Sequence, residues 1–226
     1  MRPRALIFDV DGTLAETEEM HRRAFNTAFA QSGLDWVWDQ ALYGDLLRTT
    51  GGRERILVYA QRIGVTLDAL ALHRLKTRIY GELLDAGQLF LRPGITDLIT
   101  LGRREGLMLA IATTTSRPNV TALIAATLGA PAIDWFASIR TGEDVAAKKP
   151  DPQVYHLVLS DLGLTARESL AFEDSRNGLL AARAAGLRTV ITPSLYSRDD
   201  DVTGADLILD PLDLPTLDRH FEIGGL

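Results

Sequence analysis

Five short apolar runs divide this chain into alternating strand and helix, and that alternation constrains the fold more than any other feature. The runs fall at residues 5–10, 107–112, 169–172, 188–191 and 206–209. They are near-continuously apolar rather than alternating, the mark of strands buried on both faces. Between them lie helical stretches that stop at glycine, such as 177–185 before Gly186. Strands alternating with helices of about ten residues predict a doubly wound, Rossmann-like α/β core, its parallel sheet covered by helices on both faces.

Residues 16–88 break this rhythm. Met20, Ala24, Phe25, Ala28 and Phe29 recur at helical spacing and stop at Gly33. Ile56, Leu57, Ala60 and Ile63 do so before Gly64, and Leu67, Leu70, Ile79 and Leu83 fall in a third such segment. No strand pattern appears there. The reading is a small α-helical cap domain inserted after the first strand, with re-entry near Leu91-Arg92-Pro93-Gly94; extra helices within one domain fit the same pattern. The expected division is a core of residues 1–15 and 89–226 and a cap of residues 16–88. Trp36 and Trp38 are expected to seat the cap helices.

Composition narrows the function classes. The chain has 226 residues, 46% hydrophobic and 24% charged, which excludes a disordered chain. Cysteine is absent, which removes disulfides, thiolate metal sites and cysteine nucleophiles. Twenty-four basic residues face thirty acidic ones, a net charge of −6, so neither nucleic acid nor a membrane surface is an expected partner. The longest uncharged stretch, 118–133, is broken by two prolines and falls short of the roughly 20 apolar residues of a membrane span. No secretory pattern opens the sequence, so a cytoplasmic, monomeric protein is expected.

The chemistry gathers where runs end. Asp9-Val10-Asp11-Gly12-Thr13 closes the first run, and two acids at a strand's carboxyl end lie where open parallel sheets bind ligands. Ala112-Thr113-Thr114-Thr115-Ser116 follows the second and leads into a helix, offering hydroxyls and backbone N–H groups to phosphate oxygens. Lys148-Lys149-Pro150-Asp151-Pro152 places a cation before a helix start. Phe172-Glu173-Asp174-Ser175 adds two carboxylates. Singly these read as a turn, β-forming threonines, a solvated turn and a helix cap; together, at the ends of successive strands, they read as a site.

Those four segments, in this order, resemble the four motifs of the haloacid-dehalogenase-like superfamily of phosphotransferases. The resemblance covers nearly the whole chain and implies that Asp9 is the nucleophile, Asp11 the general acid/base, Thr113 the second-motif hydroxyl and Lys149, rather than Lys148, the third-motif cation. Thr114 or Thr115 could take the second-motif place instead. It further implies Mg²⁺ held by Asp9, Asp11, Asp174 and Glu173. Asp11 argues against the superfamily's dehalogenases, which lack it.

Residues 11–21, Asp-Gly-Thr-Leu-Ala-Glu-Thr-Glu-Glu-Met-His, resemble the branch shared by β-phosphoglucomutases and CbbY-type sugar phosphatases. Thr50-Gly51-Gly52-Arg53-Glu54-Arg55 and residues 113–119 look more like the phosphatases. The resemblance then implies a small-molecule sugar-phosphate substrate, first among them xylulose 1,5-bisphosphate, an inhibitor of Rubisco formed beside the Calvin cycle, cleaved at its 1-phosphate. Another sugar phosphate, phosphoglycolate or mutase chemistry are the alternatives. Glu18, His21, Gly52, Arg53, Arg55, Thr114, Thr115, Ser116 and Arg117 are the candidate substrate contacts. The three arginines suit a second, non-reacting phosphate because the guanidinium fork matches its oxygens. A receiver module would be shorter and lack the cap, and a silent binding protein would not need both Asp9 and Asp11.

Overall fold

The first strand sets the pattern of the sheet. β1 (Ala5–Phe8) is wholly buried, with Leu6 and Phe8 in one apolar cluster and Ile7 in another on the opposite face, as the two-residue period of a strand requires. The computed structural model of the protein describes residues 2–87 and 89–224. The expected cap limit at 88 and the chain ends 1 and 226 lie outside them.

β1 pairs with β2 (Met108–Ala112) on one side and β4 (Ser169–Glu173) on the other. β3 (Phe136–Arg140), β5 (Arg188–Ile191) and the short β6 (Leu207–Ile208) extend the sheet to the order β3-β2-β1-β4-β5-β6, parallel throughout. β3 is absent from the sequence expectation. It lies at the edge and alternates, Phe136 and Ser138 buried and Ala137 exposed, so no continuous apolar run marks it.

Four helices leave the sheet after β1: α1 (Glu18–Gln31), α2 (Gln40–Leu46), α3 (Gly52–Arg62) and α4 (Ala69–Ala86). They share a cluster built on Phe25, Phe29, Trp36, Trp38, Tyr43 and Tyr80, separate from the sheet clusters. α2 has no apolar stripe to announce it and is started by Asp39, whose side chain accepts from the Leu42 N–H at 2.8 Å. On α3 the expected stripe is half wrong: Leu57 and Ile63 are exposed, and Arg55, Ile56 and Ala60 turn inward.

The chain returns beside its exit. Ala15 and Leu91 form an antiparallel bridge, and the Arg92 N–H donates to the Leu14 carbonyl at 2.8 Å. Then α5 (Ile95–Arg104), α6 (Arg117–Leu128) and α9 (Leu214–Phe221) cover one sheet face, and α7 (Gln153–Leu162) and α8 (Arg176–Ala184) the other. Phe8 and Phe172 stack with centroids 5.1 Å apart on the first face; burying each ring stabilises the sheet by about 1.5–3 kcal/mol. No described helix is long and apolar enough to cross a membrane.

Candidate active site

The strand order reverses between β1 and β4, which opens a crevice beyond their carboxyl ends. Asp9 follows β1, Thr113 follows β2, Lys149 lies in the loop after β3, and Glu173 and Asp174 close β4. All five are buried. The cap of α8 is Ser175, whose hydroxyl accepts from the Gly178 N–H at 3.3 Å, so neither carboxylate before it is spent on capping.

Lys149 joins the parts. Its Nζ donates to Asp9 Oδ1 at 2.7 Å, Glu173 Oε1 at 2.5 Å and the Ala112 carbonyl at 2.7 Å, using all three ammonium protons. The Tyr155 hydroxyl donates to the same Glu173 oxygen at 2.5 Å. Asp174 Oδ2 accepts from the Ser194 hydroxyl at 2.7 Å. Gly12 makes this packing possible. Its φ is +78°, and a Cβ there would lie 2.2 Å from Asp174 Oδ2, so both its backbone and its missing side chain are required.

Two carboxylates, Asp9 and Glu173, thus share one ammonium, and Asp174 stands beside them with hydroxyl partners. Burial pushes Asp9 up to about 7; Lys149 pulls it back, while Glu173 and Asp11 push with burial. Asp174 is raised well above the carboxylate range by burial, then by Asp9 and Glu173. Burial works against the Lys149 charge, but Asp9 and Glu173 outweigh it and raise its pKa. Asp9, Glu173 and Asp174 each present a carboxylate oxygen, all within 4.8 Å of one another. An oxygen-only donor set with surplus negative charge fits a hard divalent cation.

Asp11 turns toward the cap. Its Oδ1 accepts from Thr17 Oγ1 at 2.6 Å and lies 2.9 Å from His21 Nε2. Lys76 Nζ stands 2.6 Å from His21 Nδ1. Asp11, held as a carboxylate, only accepts, which puts a ring proton on Nε2 and makes His21 the donor to Asp11. Burial alone would raise Asp11, but His21, Thr17 and Lys76 hold it below the usual carboxylate range. Lys76 is pushed down to about 7 by burial. Both nitrogens of His21 are engaged, and the ring stacks on Tyr80 at 4.0 Å. The structure makes it a bridge between Asp11 and Lys76 of the cap.

A cavity of about 1120 Å³ separates sheet and cap. Glu18, Gly52, Arg53, Arg55 and residues 113–116 line it with Asp9, Asp11, Lys149, Glu173 and Asp174. Arg55 is buried, donates to the Tyr43 hydroxyl at 3.0 Å and lies over the Tyr43 ring at 5.1 Å; Tyr43 in turn donates to Glu18 at 2.6 Å. The Arg55 Nε and the Ser116 hydroxyl are buried without a partner among the described residues. Arg117, a candidate substrate contact in the sequence, turns away from the cavity. Its guanidinium donates to the Ile139 carbonyl at 2.5 Å, lies 3.6 Å from Asp144 and does not line the cavity. Groups unmarked in the sequence include Lys76, Tyr43, His73, Tyr155 and Ser194. Lys76 meets His21 across 55 positions, a juxtaposition no spacing rule reveals.

The haloacid dehalogenase-like hydrolase profile matches residues 3–186. The chain belongs to this family. A CbbY protein of Rhodobacter capsulatus is 56% identical over 209 residues, 91% of this hydrolase and 92% of that protein. CbbY from Rhodobacter sphaeroides, solved in complex with phosphate, is 48% identical with a TM-score of 0.89, covering 93% of this chain and 95% of that one. An Asp-to-Asn variant of the same protein, solved with xylulose-(1,5)bisphosphate, gives 47% and 0.89, over the same shares of the two chains. A β-phosphoglucomutase from Clostridium difficile shares the fold at 19% identity and a TM-score of 0.80, covering 97% of each chain.

Proposed function

We propose that this hydrolase is a Mg²⁺-dependent sugar-phosphate phosphatase that removes the 1-phosphate of xylulose 1,5-bisphosphate through an aspartyl phosphate on Asp9. The observation that carries the reading is the buried Asp9–Lys149–Glu173–Asp174 cluster at the floor of a capped cavity. The bisphosphate held by the R. sphaeroides CbbY variant supports the substrate. On this reading the protein is a cytoplasmic monomer that clears an inhibitory by-product of carbon fixation.

Asp9, as a carboxylate, attacks phosphorus and the bond to the sugar oxygen breaks. Asp11 gives that oxygen a proton. Water then attacks the aspartyl phosphate, Asp11 takes the water's proton, phosphate leaves and the Asp9 carboxylate is restored. The proton on Asp11 serves the next leaving group, so the cycle closes. Thr17 and His21 aim Asp11 for both transfers. Lys149 and the hydroxyls of 113–116 offset phosphoryl charge. Asp9, Asp174 and Glu173, with the backbone carbonyl of Asp11, would hold Mg²⁺, which neutralises the approach of two anions. The cap keeps bulk water out, and Arg53, free of any ion pair among the described residues, meets the second phosphate, with Arg55 behind it.

The test is phosphate release across sugar mono- and bisphosphates. The protein should free one equivalent of phosphate from the 1,5-bisphosphate and leave the 5-phosphate intact. Conversion of β-glucose 1-phosphate to glucose 6-phosphate with little phosphate released would establish a mutase instead.

A further inference from the structure

α4 carries His73, Lys76 and Tyr80 on one side, at the spacing of successive helical turns. Lys76 and Tyr80 are occupied with His21. His73, one turn earlier, lines the cavity between sheet and cap and makes no hydrogen bond among the described residues. Its charged neighbours are Lys76 on its own helix, Lys148 from the core, Glu54 from α3 and His21 from α1.

The start of α3 is shaped to this ring. A Cβ at Gly52 would lie 2.7 Å from His73 Nε2 and 2.9 Å from Cδ2. Gly52 is not among the residues of positive φ. What the position supplies is therefore the absent side chain, which leaves the imidazole its place, and not backbone freedom.

Burial pushes His73 down to about 4, with Lys76 and Lys148 adding to it against Glu54. A neutral imidazole offers one donor and one acceptor and no charge. That suits a hydroxyl, which also donates and accepts, and not a phosphate, for which the cavity already has Lys149 and Arg53.

We propose that His73 is a specificity-determining residue that hydrogen-bonds a hydroxyl of the sugar carbons, in the gap that Gly52 keeps open. This rests on the sugar-phosphate reading above. The hydroxyls rather than the phosphates would then separate a polyol substrate from simple phosphate esters.

The experiment compares xylulose 1,5-bisphosphate with p-nitrophenyl phosphate, which has no such hydroxyl. One neutral hydrogen bond corresponds to a change of about threefold to tenfold. In His73→Ala the ratio of kcat/KM for the bisphosphate to that for p-nitrophenyl phosphate should fall by that factor, through KM more than kcat. His73→Gln, which keeps a donor and an acceptor, should recover most of it. Gly52→Ala, which displaces the ring, should lower the same ratio, and in the His73→Ala background should add little; this second route serves if His73→Ala folds poorly by circular dichroism. An unchanged ratio in both single variants, with an active wild type, overturns the role of His73 alone. A wild type that cleaves no sugar phosphate overturns that role and the substrate reading together.

Discussion

Lys148 Nζ lies 2.7 Å from Glu54 Oε2, tying the loop after β3 to the first turn of α3. The contact joins core to cap one residue from Lys149, which pairs with Asp9. Further bonds cross the same gap, among them Asn177 Nδ2 to Thr50 Oγ1 at 3.0 Å and the Tyr196 hydroxyl to Glu19 at 2.6 Å. The cap is therefore closed on the core.

Glu54→Gln should favour opening. The pair is partly exposed, and such pairs contribute about 0.2–1 kcal/mol, or roughly 1.4- to fivefold in an equilibrium. Small-angle scattering should show a larger radius of gyration without substrate, and KM for the sugar phosphate should rise by a comparable factor. A variant with unaltered scattering and KM would remove the pair from any role in closure.

Asp9→Asn should keep the fold, because amide and carboxylate are nearly isosteric, and still bind substrate. Turnover should fall on the order of 10⁴-fold or more, as for other lost nucleophiles. Phosphate release at the wild-type rate would sink the aspartyl-phosphate mechanism.

EDTA should stop the enzyme and Mg²⁺ restore it. With Asp9 raised to about 7 and Asp174 raised beside it, the metal-free site holds protons below neutrality that a cation must displace. Mg²⁺ binding should weaken as pH falls from 8 to 6 and should release more protons at pH 6 than at pH 8. Calorimetry in two buffers of different ionisation enthalpy measures this directly; equal release at both pH values would contradict protons held by the raised Asp9 and Asp174.

Arg92 should matter for stability although it lies outside the cavity. Its guanidinium donates to the carbonyls of Gly12, Thr192 and Pro193 and lies 3.4 Å from Glu16. It therefore braces the loop after β1, the loop after β5 and the cap linker at once. Arg92→Met leaves three carbonyls without their donor and should cost about 2–4 kcal/mol, read as a lower urea midpoint. A loss under 0.5 kcal/mol would show that water replaces the guanidinium.

Five of the six strands were legible, the central four and the edge strand β6, whose run at 206–209 is only partly buried. β1, β2, β4 and β5 are buried on both faces, and a near-continuous apolar run is the only way a sequence can meet that demand. β3 escaped because an edge strand needs apolar residues on one face only, and α2 because a seven-residue helix in a shared cluster needs no stripe of its own. Leu57, Ile63 and Leu70 misled for the opposite reason: helical spacing marks a face, but which face is buried depends on what packs against it.

The alternation of strand and helix and the placing of Asp9, Thr113, Glu173 and Asp174 at strand ends are readable along the chain, whereas Lys149 lies in the loop after β3, a strand that no apolar run marks. Parallel connectivity brings every such end to one edge of the sheet, so position along the chain already implies convergence. Tertiary packing alone sets which polar groups face one another across the gap between core and cap. It turned Arg117 out toward Ile139 and Asp144, engaged both nitrogens of His21, set Lys148 against Glu54 and left His73 facing the cavity. Those pairings join residues on separate elements, from 10 to 94 positions apart. Helix orientation and burial select them, and no local pattern encodes either.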